Sequence, residues 1–330
     1  MNETSFTVAP AEDITRLDLF LARHTGLSRA AIRRLIEEGQ VRIDGRIGRK
    51  GATVLPGQRV QLAQPVSDPK STPPIPQPEL PLSVLYQDAQ LVVVSKLPGC
   101  ATHPLRPGER GSLASALVAR FPECATASPE AREGGVCHRL DTFTSGAVIA
   151  ARTAAAWDAI RSLFRDGMVK KTYLAAVCGE PAQDVFEVTQ PLLPSPGPDR
   201  RRRMIAAEAP AQVYHPDALD AQTRFEVVAR GDGVALLRAY TQTGRRHQVR
   251  AHLAYLGLPL LGDELYGAPP AETLAAADLE GYFLHADSLR FPALEKGAIP
   301  HASKLISVTA PLPPQRQNLV ERLFPSYRGV

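Results

Sequence analysis

The chain has little that would tie it to a metal, a membrane or an oxidising compartment. Its 330 residues include four cysteines, Cys100, Cys124, Cys137 and Cys178, and no two of them form a C-x-x-C pair. Cysteines so isolated imply neither a metal site nor a disulfide framework, and they fit a reducing compartment. No apolar run approaches the ~20 residues that a membrane-spanning helix needs. Residues 1–15 hold Glu3, Glu12 and Asp13 and no basic residue, unlike a signal or transit peptide, so a cytoplasmic protein is expected. G-x-G-x-x-G, the P-loop and H-E-x-x-H are all missing, so no dinucleotide, nucleoside triphosphate or catalytic zinc is expected. Lysine is scarce too. It stands only at positions 50, 70, 96, 170, 171, 296 and 304, and arginine carries most of the net charge of +4. That mild excess admits an anionic partner without requiring one.

What is present divides the chain in two. In residues 16–62, Leu17, Phe20 and Leu21 have helical spacing, with Asp18 early in the helix where negative charge is favoured. Ser28 reads as the N-cap of a second helix, Arg29 to Glu38, that Gly39 stops. Ile32, Leu35 and Ile36 face inward on it, while Arg29, Arg33 and Arg34 either solvate its outer face or read phosphate. Val41 to Ile43 and Arg59 to Leu62 read as strands, with a turn at Asp44-Gly45. Prolines at 65, 69, 73, 74, 76, 78 and 81 then build a semi-extended linker. The larger remainder alternates strands (84–86, 91–94, 169–177, 235–240) with helices at 113–121 and 153–164. The second helix carries the only tryptophan, Trp157, as a core residue, and a loop is expected over 122–135. The run Arg200 to Arg203 reads as exposed, either contacting phosphate or solvating a loop.

Three stretches carry chemistry. His138 to Gly146 reads H-R-L-D-x-x-T-S-G. Arg139 and Asp141 share a face if extended, Thr144, Ser145 and Gly146 suit a tight turn, and Ala147 to Ala151 follows as an apolar run. An acid at a turn backed by a strand is well placed to react, though an Asp capping its own turn fits the same residues. Lys171-x-Tyr173-x-Ala175-x-Val177 is an alternating strand with a tyrosine in it. Thr243 to Leu253 contains T-G-R-x-H-Q-x-R-x-H, whose His247 and His252 lack both zincin spacing and an accompanying acid, so no metal is expected.

These motifs resemble the RluA-type family of RNA pseudouridine synthases, and the likeness extends to Gly257–Asp263, Tyr266-Gly267, Phe283–Ala286 and Leu289-x-Phe291-Pro292. Leu97 departs from the proline that the family usually has after the lysine at Lys96, a lysine that either neutralises a phosphate or caps a loop. R-L-D-x-x-L at 16–21, Ser28-Arg29, Gly39-x-Val41, Asp44-Gly45 and Pro56-Gly57 resemble the S-four-type RNA-binding module.

The resemblance implies an α+β fold. A catalytic domain (83–330) would stand on a long mixed, mostly antiparallel sheet with flanking helices and a cleft across its middle. A small N-terminal α/β RNA-binding domain (1–64) would precede it, joined by the proline-rich linker (65–82). It also implies an isomerase that breaks the bond from ribose to the uracil nitrogen, rotates the base and rejoins it through carbon, with no cofactor. Asp141 would do the covalent or proton-transfer work, with Arg245 as its partner cation and Tyr173 against the uracil. Arg139 would fill the gap left by the flipped uridine, lowering the few kcal/mol that extrusion costs. Leu140 and Lys171 would line the substrate, and Arg29, Arg33, Arg34 and Lys50 would meet RNA. The expected partner of this monomer is RNA, ribosomal large-subunit RNA before transfer RNA. A non-catalytic ribosome-assembly protein on the same scaffold is the rival reading, and the presence of Asp141, Tyr173 and Arg245 together argues against it.

Overall fold

Contacts divide the chain into two units, Met1–Thr72 and Pro73–Val330. The computed structural model describes residues 4–10, 14–25, 27, 29–62, 71–196, 203–208, 215–269, 278–295 and 297–328. The first unit runs β1 (Thr4–Thr7), β2 (Thr15–Arg16), α1 (Leu17–Thr25), α2 (Arg29–Glu37), β3 (Val41–Ile43), β4 (Arg46–Ile47), β5 (Thr53–Val54) and β6 (Arg59–Leu62). The strands form a sheet β1-β6-β3-β4 and a separate β2-β5 pair. Leu17, Phe20 and Leu21 of α1 meet Ile32 and Ile36 of α2 over Val41 and Val60, as their spacing predicts. Asp44 and Gly45 both adopt positive φ, the geometry that a two-residue hairpin turn with the strands' own twist requires. Ser28, the expected cap, lies outside the described residues, as do 63–70 of the expected linker. The expected linker ends too late. The second unit begins at Pro73, where Pro74 and Gln77 are buried. Gln77 donates its amide to Ser115 O and accepts from Gly111 N on Oε1, so this stretch is held by hydrogen bonds to its own unit.

The second unit continues with β7 (Ser83–Gln87), β8 (Leu91–Lys96), α3 (Leu113–Arg120), β9 (Ser145–Ala151), α4 (Ala154–Arg165), β10 (Lys170–Cys178), β11 (Val185–Val188), β12 (Leu192–Pro194) and β13 (Met204–Ala206). There follow β14 (Thr223–Arg230), β15 (Val234–Thr241), α5 (Gln248–Tyr255), β16 (Leu284–Leu294), β17 (Pro300–Thr309) and α6 (Pro314–Leu323). Two short 3-10 turns, Pro122–Thr126 and Ala131–Glu133, stand in the expected loop. The main sheet has nine strands in the order β11-β14-β15-β10-β16-β9-β8-β7, with β17 also on β16.

Every pairing in that sheet is antiparallel except β9 with β16, which touch only at Ser145–His285 and Ala286–Gly146. This short parallel joint sets the position of the site. A Cβ on Gly146 would lie 2.2 Å from Ala286 O, and φ there is 113°, so only glycine lets the two backbones meet. The turn expected over Thr144–Gly146 therefore falls earlier. It closes through Thr144 N donating to Asp141 O at 3.0 Å, and Ser145 and Gly146 are already strand. β9 is buried along its whole length. Ala147 and Ile149 pack on Ala156 and Ile160 of α4, while Val148 and Ala150 pack on Ala114 and Leu117 of α3. A strand covered on both faces needs apolar side chains at every position, which explains its unbroken small apolar run.

Candidate active site

The loop before β9 is clamped from several sides, and none of the clamps contacts solvent freely. His138 is held neutral, because burial pushes its pKa down to about 3, and Nε2 accepts the Ile149 amide at 3.0 Å. Thr102 Oγ1 donates to Leu140 O at 2.7 Å, and buried Leu140 packs on the α3 side. Lys96 is fully buried and donates to the carbonyls of Leu97, Cys100 and Thr142, so it caps loops and does not reach phosphate. Arg316 of α6, 2% exposed, donates to Phe143 O, Tyr282 O, Leu284 O and Ser145 Oγ. Ser145 Oγ in turn donates to His285 Nδ1, whose Nε2 donates to Ala310 O. The last helix thus sends a cation under the central joint of the sheet.

Opposite this loop stands the turn into α5. Gln248 latches it with four hydrogen bonds. Its Oε1 accepts from Thr243 Oγ1 and Arg245 N, and its Nε2 donates to Gln222 O and Thr223 Oγ1. His247, just before the helix, has φ 55°, a conformation that costs a non-glycine residue on the order of 1 kcal/mol. The latch holds it there. His252 spends both ring nitrogens on structure, with Nε2 donating to Gln190 O and Thr223 Oγ1 donating to Nδ1.

Between the two walls Asp141 is 19% exposed and meets three side chains through Oδ2: Arg250 at 3.4 Å, the Tyr282 hydroxyl at 3.5 Å and His247 Nε2 at 3.7 Å. Arg250 is the cation of the site. It grips Asp263 with two hydrogen bonds of 2.7 and 2.8 Å and lies 4.2 Å over the Tyr282 ring. Burial opposes its charge, yet the bonds to Asp263 and the nearby anions raise its pKa above the usual arginine value. Burial pushes His247 down to about 4 against the pull of Asp141, so the imidazole is neutral at neutral pH and adds no second counter-charge. Tyr173 on β10 lines the same cavity, and burial together with the Asp141 charge raises its pKa, keeping the phenol protonated. A connected cavity of about 560 Å³, also reached by Arg139, opens Asp141 to solvent.

The residues named from sequence divide accordingly. Arg139, Leu140, Asp141, Tyr173 and Arg245 share one cavity. Arg245 is not the partner of Asp141, however. It precedes the helix, is exposed, and turns Nε to Asp220 O at 2.9 Å, while Arg250, one turn into the helix, reaches the carboxylate. Lys171, unlike Arg245, does not line the Asp141 cavity. It is buried and donates to Thr243 O at 2.6 Å, supporting the turn from behind, and burial lowers its pKa to about 8. Arg29 and Arg33 gather with Arg16 on one buried acid, Asp18, at 3.1, 3.9 and 3.0 Å. Arg34 pairs with Glu38 and Lys50 with Glu37 on the surface. Residues 200–202 of the arginine run lie outside the described residues. Nothing in the sequence motifs marks Tyr282, Asp263 or Arg316 as site residues or tells Arg250 apart as the cation that reaches Asp141.

Asp141 is thus an acid held against a buried guanidinium, in a cleft at the middle of a mixed sheet. Comparisons with known proteins identify the kind of site. Residues 90–255 match RNA pseudouridylate synthase and residues 15–60 match the S4 domain. An uncharacterized RNA pseudouridine synthase of Chloroflexus aurantiacus is 35% identical over 97% of this chain and 94% of its own. Ribosomal large subunit pseudouridine synthase D of Xanthomonas campestris is 33% identical over 93% of this chain and 88% of its own. Among solved structures, human RNA pseudouridylate synthase domain containing 4 superposes with a TM-score of 0.55 at 25% identity, covering 73% of this chain and 92% of that one. The chain belongs to the RNA pseudouridylate synthase family, isomerases that act on RNA, and carries an S4 domain at its N-terminal end.

Proposed function

We propose that Asp141 is the reacting carboxylate and that the substrate is a uridine of large-subunit ribosomal RNA. The observation that carries the first part is the ion pair of Asp141 with Arg250 inside a cavity lined by Tyr173. The carboxylate either attacks the anomeric carbon or removes a ribose proton. In both cases the bond to the base nitrogen breaks and the base rejoins through carbon. Atoms balance without any co-reactant: uracil C5 gives up its proton as the new bond forms, N1 gains one, and Asp141 is released unchanged. Arg250 is a permanent cation that Asp263 holds in place, so it neutralises Asp141 in the resting site and requires no proton to do so. The protonated phenols of Tyr173 and Tyr282 lie against the cavity without adding charge. Arg139, exposed at the mouth, takes the space that the uridine vacates.

The ribosomal assignment is supported by two relatives named ribosomal large subunit pseudouridine synthase D, from Xanthomonas campestris and Pasteurella multocida. The N-terminal unit supports an RNA substrate of either kind. Three arginines around one acid leave a positive face suited to phosphate. The enzyme acts as a cytoplasmic monomer. Mapping pseudouridine in total RNA from cells with and without the gene tests the substrate. The expected result is loss of one or more sites in large-subunit RNA alone. Loss confined to transfer RNA would replace this reading with the transfer-RNA one.

A further inference from the structure

Next to the Asp141 cavity runs a second groove of about 670 Å³, and Thr243, Gly244 and Arg245 line both. Its far wall is one face of α4, where Trp157, Arg161 and Arg165 follow at four-residue spacing and so stack above one another. Arg161 is fixed without being neutralised. It donates to Cys137 O at 3.0 Å and sits 5.4 Å over the Trp157 ring. Arg245 likewise spends Nε on a carbonyl. Among the described residues neither guanidinium pairs with a carboxylate. Arg165 is 75% exposed, donates to Ser162 Oγ at 2.8 Å and pairs loosely with Asp166 at 3.9 Å, and Asp158 is the one acid on the groove wall. The indole is half-buried, with Nε1 donating to Val136 O. A concave surface with three cations and a fixed aromatic, continuous with a site that takes in a nucleotide, has the chemistry of a single-strand track.

We propose that this groove holds the nucleotides adjoining the target uridine. Their phosphates meet Arg161, Arg165 and Arg245, and a base lies against the Trp157–Arg161 pair. The proposal rests on Asp141 being the centre of an RNA-modifying site. It assigns to α4, a helix that otherwise covers the sheet, the task of setting which strand direction and which neighbours the site accepts.

Trp157 is the only tryptophan of the chain, so its emission reports on the groove alone. Total RNA from cells lacking the gene is titrated into full-length protein carrying Asp141→Asn, which stops turnover. The emission is expected to be quenched, less so as salt rises. In the otherwise native enzyme, Arg161→Ala should raise KM roughly fivefold with kcat at saturating RNA unchanged. It should also remove about one unit from the slope of log affinity against log salt. Because Arg161 also ties down Cys137 O, Arg165→Glu on its exposed side chain serves as the second variant, with KM expected to move in the same direction. Failure of Trp157 to respond to RNA overturns the proposal. So does wild-type KM in both variants; pseudouridine formed normally in that case leaves the assignment of Asp141 standing. RNA-dependent quenching in native enzyme that forms no pseudouridine upholds the groove and removes the reading of Asp141 as the centre of an RNA-modifying site.

Discussion

Asp141 lies 109 residues from the arginine that neutralises it, and that separation decides what a sequence can reveal at the scale of single residues. The stretch Thr243 to Arg250 offers three candidate cations, Arg245, Arg246 and Arg250. Their spacing does not say which one reaches an acid on another loop. The Gln248 latch ends the turn and starts α5, so Arg250 falls on the inward face while Arg245 stays on the rim. Asp141 and Tyr173 were legible because whole motifs carried them. Tyr282 and Asp263 were not, since a phenol and an acid in apolar surroundings read as ordinary core and turn residues. The two arginines should therefore behave differently. Arg250→Gln should lower kcat by about 100-fold or more, because it strips the charge facing Asp141 and leaves Asp263 buried without its partner. Arg245→Gln should act mainly on KM. Steady-state kinetics on both variants checks this, and equal kcat losses would return Arg245 to the centre.

Among the elements, the strands and helices that alternate or repeat cleanly, such as β8, β10, α3 and α4, sit where their periodicity puts them to within a residue or two. Elements defined by a distant partner were harder to read. The S-G pair of the first motif looks like a turn, because serine and glycine favour turns and nothing local announces a parallel strand beside them. The final helix looks like a surface tail, because its Arg316 finds its acceptors 32 to 173 residues away. Gly146→Ala tests the joint. The added carbon meets backbone on β16, which cannot move like a side chain, and φ is unfavourable for alanine. A loss of about 3 kcal/mol or more in denaturant unfolding is expected. A loss below about 1 kcal/mol would mean that the strands can part without harm.

At the scale of the whole molecule, buried histidines tie stability to pH. Burial depresses His138 to about 3 and His247 and His285 to about 4, below the ordinary value of 6.5. Between about 4 and 6.5 the unfolded chain then binds protons that the folded chain does not, so stability is full above 6.5 and falls as the solution is acidified. Each such group contributes a slope approaching 1.4 kcal/mol per pH unit in that window. His285→Gln should lower stability at pH 7 and flatten the acid limb of a plot of thermal midpoint against pH, and an unchanged limb would show that His285 already binds a proton when folded. The N-terminal unit gives a second whole-molecule effect. Arg29→Gln and Arg33→Gln, with Arg16 left to hold Asp18, should each remove roughly one unit of salt slope from RNA binding. Turnover at saturating RNA should stay the same, and an unaltered slope would make the arginines a solvated face only.

The role of Asp141 is decided by setting the native enzyme beside its Asp141→Asn variant. Both are incubated with total RNA from cells lacking the gene, and pseudouridine is mapped at single-nucleotide level. The substitution keeps the shape of the side chain and removes its charge and its nucleophile. New pseudouridine is expected in large-subunit ribosomal RNA with the native protein and none with the variant, while both bind the RNA with similar affinity. Pseudouridine formed by the variant at more than a trace would contradict the central role given to Asp141.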